Sequence, residues 1–187
     1  LQSASAGISA DAQGKVDTLN ANLVALQRVN EGLTRAQANT TNQASLMDER
    51  DRLIDDISAS IGVTATFDAR GAATLKSSGP GAETLLDGTT VASLSVTTAT
   101  DGRISFATSP SGASITPVSG ALAGLADVSN SVADKRTALD NLSNSFASSM
   151  NAWHQSGVDG IGVAGVALFN PGTGAATITA NSLTTLH

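Results

Sequence analysis

The chain holds few residues that could perform acid–base or metal chemistry. Its only imidazoles are His154 and His187, and it has no cysteine. His154 stands five residues before Asp159, and the two could act as a metal pair or as part of a hydrolase site. Two ligands without a third in a motif make a poor metal site. The alternative is a structural histidine near a helix end, where the macrodipole favours a cationic side chain.

Other catalytic patterns are also missing from the sequence. Serine is abundant, but no nucleophile-elbow pattern surrounds any of the serines. The glycine-rich residues 157–165 follow no predicted strand and precede no suitably spaced lysine, so they do not match a phosphate-binding loop. Asp101-Gly102 lacks the further carboxylates of a calcium loop. We therefore expect a non-enzymatic protein with no catalytic residue, no cofactor and no metal.

An acidic run at residues 48–56 is the most distinctive string in the chain. Read as a helix, it places Arg52 four residues from both Asp48 and Asp56, so we expect ion pairs on both sides. Arg50 differs, because it lies in the apolar stripe between Met47 and Ile54. A guanidinium there needs carboxylates or carbonyl groups as partners, and we expect a neighbouring helix to supply them.

Composition excludes several classes of partner. The net charge is −6 and no cluster of Lys and Arg occurs, so we expect no nucleic-acid partner. The sequence contains no apolar run long enough to predict a membrane span, and its first residues lack the basic and apolar regions of a signal peptide. Aromatic residues make up only 3%, which suits thin helical packing better than a wide globular core. The chain begins without Met, and we interpret it as an internal fragment.

Two segments before residue 63 show helical periodicity. Residues 11–35 carry apolar side chains at 3,4 spacing, a coiled-coil-like seam that Asn30 interrupts. Residues 46–61 form a second helix with Ser45 as its N-cap, after a polar loop at 39–42. The short loop predicts an antiparallel hairpin. The core seam residues predicted in these helices are Leu19, Leu23, Leu26, Ile54 and Ile57.

A third helix is predicted at residues 121–155, and a break near residues 127–130 is left open. Its heptad stripe predicts that it packs alongside the hairpin as a three-helix bundle. The core seam residues predicted in this helix are Leu139, Leu142, Phe146 and Trp153.

The middle of the chain is rich in strand signals. Residues 63–67 and 73–77 flank a turn, and Asp101-Gly102 separates two further β-prone runs, residues 91–98 and 104–108. Near the C-terminus, residues 175–180 read as one more strand.

The predicted fold is α+β: an elongated helical bundle made of an antiparallel helical hairpin plus one long helix. A small β region is inserted into it, and a short β and loop part follows. The domain division is a helical rod at 1–62 and 120–156, an inserted β-rich subdomain at 63–119, and a Gly-rich loop with a β segment packing on the rod at 157–187.

Two ordered motif blocks stand in the chain. In the first, Asp48, Arg50, Asp51, Leu53 and Asp55 precede Gly62-Val63. In the second, Gly120 and Gly124 open a helix whose end carries Asn151, His154, Gly157 and Asp159. Together they resemble the family of flagellar hook-associated protein 1, the first hook–filament junction protein.

This resemblance implies a structural, secreted part of the bacterial flagellum that joins hook to filament. The implied partners are further copies of itself in a ring, the hook protein, the second junction protein, and an export chaperone that binds a region outside this fragment. The terminal axial helices would also lie outside it. Alternatives are another axial protein, such as flagellin or the second junction protein, and a surface adhesin, which an exposed apolar patch on the β insertion would favour.

Overall fold

The computed structural model describes residues 1–88 and 90–181. Three α-helices, α1 (Gln2–Arg35), α2 (Thr41–Ser60) and α3 (Ala121–Ser156), accompany small antiparallel sheets, which confirms the predicted α+β class. The strands in chain order are β1 (Val63–Phe67), β2 (Ala73–Ser77), β3 (Thr84–Asp87), β4 (Thr90–Val91), β5 (Ser93–Thr98), β6 (Ile104–Ser109), β7 (Ser114–Ile115), β8 (Phe169–Asn170) and β9 (Thr179–Ala180).

The chain divides into two compact units, Leu1–Val132 and Ala133–His187, and the boundary falls inside α3. The first unit contains α1, α2 and strands β1 to β7, and the second contains β8 and β9. This grouping by itself does not assign domains, so the three-part division made from the sequence stays a prediction.

Helices α1 and α2 form a hairpin around an aliphatic seam. Leu19, Leu23 and Leu26 of α1 are fully buried, and Ile57 of α2 is buried against the same core. Ile54 is only partly buried at its edge, while Leu53, which the sequence placed in a motif rather than in the core, is buried. The buried stripe of α2 is therefore wider than predicted, because it includes Leu53 as well as Ile57.

The start of α2 differs from the prediction. The helix begins at Thr41, and Thr40 is its N-cap, since the hydroxyl of Thr40 accepts a hydrogen bond from the backbone N–H of Gln43. Gln43 in turn accepts from the N–H of Asn39 at 2.8 Å. This reciprocal arrangement starts the helix five residues before the position predicted from Ser45.

The inserted β region forms two sheets that share the core of the α1–α2 hairpin. Strands β1, β2, β3 and β4 lie in that order in one sheet, and β5, β6 and β7 in another. The predicted hairpin is present, with Val63 opposite Ser77 and Phe67 opposite Ala73. The side chains that these sheets contribute to the buried core are Leu75, Leu85, Leu86, Leu94, Ile104, Phe106 and Ile115.

The C-terminal half of α3 contradicts the predicted core seam. Leu139, Leu142, Phe146 and Trp153 are exposed, with 47%, 68%, 57% and 69% of their surfaces accessible. The helix is also unbroken from Ala121 to Ser156. The heptad spacing aligned these side chains on one stripe, but no helix covers that stripe in the described residues. The side of the helix that is buried here is marked by Ala147.

The C-terminal strand is shorter than predicted. Residues Ala175–Thr177 form one 3-10 turn, and only Thr179–Ala180 pair with β8. Within the described residues, no helix is long and apolar enough to cross a membrane.

Candidate functional site

Arg50 of the first motif block binds the turn between β1 and β2. Its side chain is 11% exposed, and Nη1 donates to the carbonyl oxygen of Gly71 at 2.6 Å. Nε and Nη2 both donate to Oδ1 of Asp51, at 2.8 and 2.6 Å. The guanidinium also lies 4.2 Å from the centre of the Phe67 ring, a cation–π distance. The guanidinium thus has the partners that its position in the stripe required.

The prediction that Arg50 fastens α2 to another helix is wrong, because the partner is a β-turn. The turn comes close because Gly71 has φ +88°, and a Cβ at this position would lie 2.7 Å from Cε of Met47. The short polar turn is itself held by Asp68, whose Oδ1 accepts from the N–H groups of Arg70 and Ala72, both at 2.8 Å.

Arg52 lies on the exposed face of α2 and pairs with Glu49 and Asp56. The Arg52 Nη2 to Glu49 Oε1 distance is 2.5 Å, and Nη1 lies 3.5 Å from Oδ2 of Asp56. The expected partner Asp48 is replaced by Glu49, whose longer side chain reaches back over the i,i+3 spacing. The hydrogen bond from Arg52 is the main reason that the pKa of Glu49 lies below its ordinary value of 4.5.

The remaining acids of the first block do not assemble into an acid–base pair. Asp48 and Asp55 are exposed, and Asp51 is occupied by Arg50. Gly62 has a structural position instead: its N–H donates to the carbonyl oxygen of Ser119 at 3.2 Å, and its own carbonyl accepts from the N–H of Ser78. A side chain at Gly62 would collide with Ser119.

The second motif block ties the end of α3 to the loop that follows it. Asn151 makes two 2.8 Å bonds to the backbone of Phe169, one to each of its N–H and C=O groups. Nδ1 of His154 lies 2.6 Å from the carbonyl oxygen of Val166, so Nδ1 carries a proton and donates. Gly157 accepts from the N–H of Gly165 at 3.0 Å.

Asp159 organises the tip of the same loop. Its Oδ1 accepts from the N–H groups of Ile161 and Val163, at 2.9 and 2.8 Å. His154 and Asp159 do line one cavity of ≈700 Å³, together with Trp153 and several small residues. Each of the two is already bonded to backbone, and the described residues contain no cluster of three metal-ligating side chains. The second imidazole, His187, lies outside the described residues.

Sequence reasoning missed several residues that join helices to other elements. Asp140 accepts from the N–H of Ala175 at 2.8 Å, and Asn20 bonds both backbone groups of Leu94. Asn30, which interrupts the seam of α1, bonds the backbone of Ala73 and Gly88. No local sequence signal marks the strand that such a side chain will meet.

We expect Arg50→Met to lower the free energy of unfolding by about 1–3 kcal/mol, because the Gly71 carbonyl loses its charged donor and Phe67 its cation. The matched variant Arg52→Met should lower the urea midpoint by less than Arg50→Met does, since its ion pairs are exposed and contribute little. Urea unfolding followed by circular dichroism measures both. A larger loss of unfolding free energy for Arg52→Met than for Arg50→Met would show that Arg52, and not Arg50, lies on the packed face of α2.

We expect acidification to weaken the fold through Glu49 and Asp101. The pKa of Asp101 is also lowered, first by the backbone N–H of Arg103 and then by its side chain. A carboxyl group with a lowered pKa contributes stability above its unfolded pKa, and that contribution is lost as pH falls through the folded value. Urea midpoints should therefore drop between about pH 5 and pH 3. Glu49→Gln and Arg52→Met should each flatten that drop; identical profiles for both variants and the wild type would contradict the assignment.

Comparison with known proteins identifies one family and one similar solved structure. A family model described as the flagellar hook-associated protein FlgK helical domain matches residues 1–169. A solved structure, the flagellar hook junction protein FlgK from Burkholderia pseudomallei, is similar with a TM-score of 0.69 and 22% identity. The similarity covers 88% of this chain and 31% of that one, so the chain spans less than a third of that relative's length. No match was found among curated proteins.

Proposed function

Because the chain belongs to the FlgK family of flagellar hook-associated proteins, as its two motif blocks predicted, we propose that it helps to join the hook of the flagellum to the filament. Members of this family are structural components of the flagellum, an extracellular appendage. The proposal is that this chain contributes mechanically, as a folded part between two assemblies of different stiffness, and performs no reaction.

The observation that carries the proposal is the family match over residues 1–169. The use of the motif residues supports it. Arg50, Asn151, His154 and Asp159 each direct a polar group at the backbone of a neighbouring turn, strand or loop. Residues used in this way fix the conformation of the chain, which is what a mechanical part requires.

The adhesin alternative has little support from the insertion. Among the large apolar side chains described in residues 63–119, only Phe67 and Val118 are more than half exposed. The ring of Phe67 is already stacked with Arg50. These two side chains are a small basis for a binding surface.

The proposed partners follow from a position at the junction. Copies of the protein would contact one another in a ring, the hook protein would lie on one side, and the second junction protein on the other. An export chaperone would bind a part of the protein outside this chain.

The test is deletion of the gene that encodes the protein. We expect electron micrographs of the mutant cells to show hooks without filaments, and flagellin to accumulate in the medium. A plasmid carrying the intact gene should restore filaments. Filaments of normal number and length on the deleted strain would overturn the proposal.

A further inference from the structure

Three asparagines make the same contact at three places in the chain. Asn20 donates through Nδ2 to the carbonyl oxygen of Leu94 at 2.9 Å, and its Oδ1 accepts from the N–H of the same residue at 2.8 Å. Asn30 and Asn151 repeat this two-bond contact with Ala73 and Phe169, with all four distances at 2.8 Å.

Each contact joins one helix to one sheet. Leu94 belongs to β5, Ala73 to β2 and Phe169 to β8, and these strands lie in three different sheets. Asn20 and Asn30 come from α1 and contact strands of the first unit, whereas Asn151 comes from α3 and contacts the second. Each of these three sheets is therefore bonded to a helix by one asparagine side chain.

The amide takes the place of a neighbouring strand. In an antiparallel ladder, a bonded residue exchanges both its N–H and its C=O with one partner. Leu94 lies on β5, the edge strand of the order β5, β6, β7, and both of its groups go to Asn20. Such an edge would otherwise present unpaired backbone groups to solvent or to another chain.

Asparagine is suited to this contact by its chemistry. Its amide offers a donor and an acceptor side by side, whereas an ionised aspartate offers acceptors only and alanine offers neither. Asparagine also has a lower helix propensity than alanine or leucine, so a position inside a helix needs a compensating interaction. Asn30 is 1% exposed, and its Nδ2 additionally donates to the carbonyl oxygen of Gly88 at 3.0 Å.

We propose that Asn20, Asn30 and Asn151 are positioning residues, each of which fixes one sheet to its helix at a single register by bonding both backbone groups of one strand residue. Each attachment is local, so the loss of one amide should lower backbone protection first in the strand that it contacts. This goes beyond the proposed role at the junction and does not depend on it.

The test replaces the amide by a carboxyl group, because a protonated carboxyl restores both the donor and the acceptor. Hydrogen exchange of the whole chain would be followed by mass spectrometry for Asn20→Asp and Asn151→Asp, each against the wild type at the same pH. At pH 7 we expect the protection factor of the peptide that contains Leu94 to fall at least about tenfold in Asn20→Asp. The peptide that contains Phe169 should show the same fall in Asn151→Asp. Near pH 3.5, below the ordinary aspartate pKa of about 3.9, much of that protection should return.

Charged neighbours will move the pH at which recovery occurs. For Asn30→Asp, the guanidiniums of Arg50 and Arg70 bond to the adjacent turn and to α1, so recovery is expected at lower pH. Should this variant not fold at pH 7, refolding it near pH 3.5 tests the same point.

Three controls make the result decisive. Asn20→Ala and Asn151→Ala should lose protection equally at both pH values, and Asn141→Asp, on the exposed face of α3, should change neither peptide. Aspartate variants that behave like the alanine variants at both pH values, or that loosen all three sheets together, would overturn the proposal. The assay uses purified protein, so its failure would be distinct from a failure of the gene-deletion test.

Discussion

Leu23→Ala should lower the free energy of unfolding by about 2–5 kcal/mol, since the side chain is fully buried and its loss leaves a cavity. Leu142→Ala removes the same atoms from a helix position that is 68% exposed, and should change the free energy of unfolding by no more than about 0.5 kcal/mol. Both sites lie inside long helices, so the gain in helix propensity is the same and cancels in the comparison.

Urea unfolding of the two leucine variants measures the difference directly. A large loss for Leu142→Ala would show that the stripe of α3 is packed in solution, as the heptad spacing predicted. A small loss for Leu23→Ala would mean that α1 is not the centre of the core.

Gly120→Ala should cost about 2–4 kcal/mol, because two effects act at one position. Gly120 has φ +83°, where an alanine is strained. Its added Cβ would also lie 2.7 Å from the carbonyl carbon and oxygen of Ser60 and 2.8 Å from the nitrogen of Ile61. All three are backbone atoms at the end of α2, so none of them can move without disturbing the helix or β1.

Gly124, the other glycine of the same motif, is the matched control. It lies within α3, and a Cβ there would meet nothing within 4 Å. Gly124→Ala should therefore stabilise the chain by about 0.5–1 kcal/mol. Thermal melts of both variants test the pair, and a melting temperature for Gly120→Ala equal to that of the wild type would contradict the close approach of α3 to α2.

Local patterns predicted the parts of the fold that depend on neighbours in sequence. Strand-forming residues on both sides of the turn at residues 68–72 were enough to predict β1 and β2, including their pairing. The 3,4 spacing of α1 likewise identified Leu19, Leu23 and Leu26 as one face. In both cases the geometry of the element itself decides which residues share a face.

The heptad spacing of α3 did not predict burial correctly, because spacing alone does not show whether another element packs against the stripe. Leu139, Leu142, Phe146 and Trp153 do share a stripe, yet they are exposed. Spacing along a helix fixes which side chains point the same way, whereas burial depends on what lies opposite. Phe146 makes one aromatic contact, with Phe169 at 5.9 Å between ring centres.

In the candidate site, too, local sequence predicts what a residue needs, and tertiary structure decides which residue supplies it. That Arg50 needs carbonyl or carboxylate partners follows from a charge in an apolar stripe, and it has them. That the carbonyl belongs to Gly71, 21 residues away on a β-turn, depends on tertiary structure. The contacts of Asn20 with Leu94 span 74 residues, and nothing in either local segment predicts them.

The position of the protein in the flagellum is the most direct test of a role at the junction between hook and filament. Full-length protein carrying an epitope tag would be detected with gold-labelled antibody on intact flagella and examined by electron microscopy. We expect the label to be confined to the boundary between hook and filament. Label distributed along the filament, or found only at its distal tip, would contradict that role.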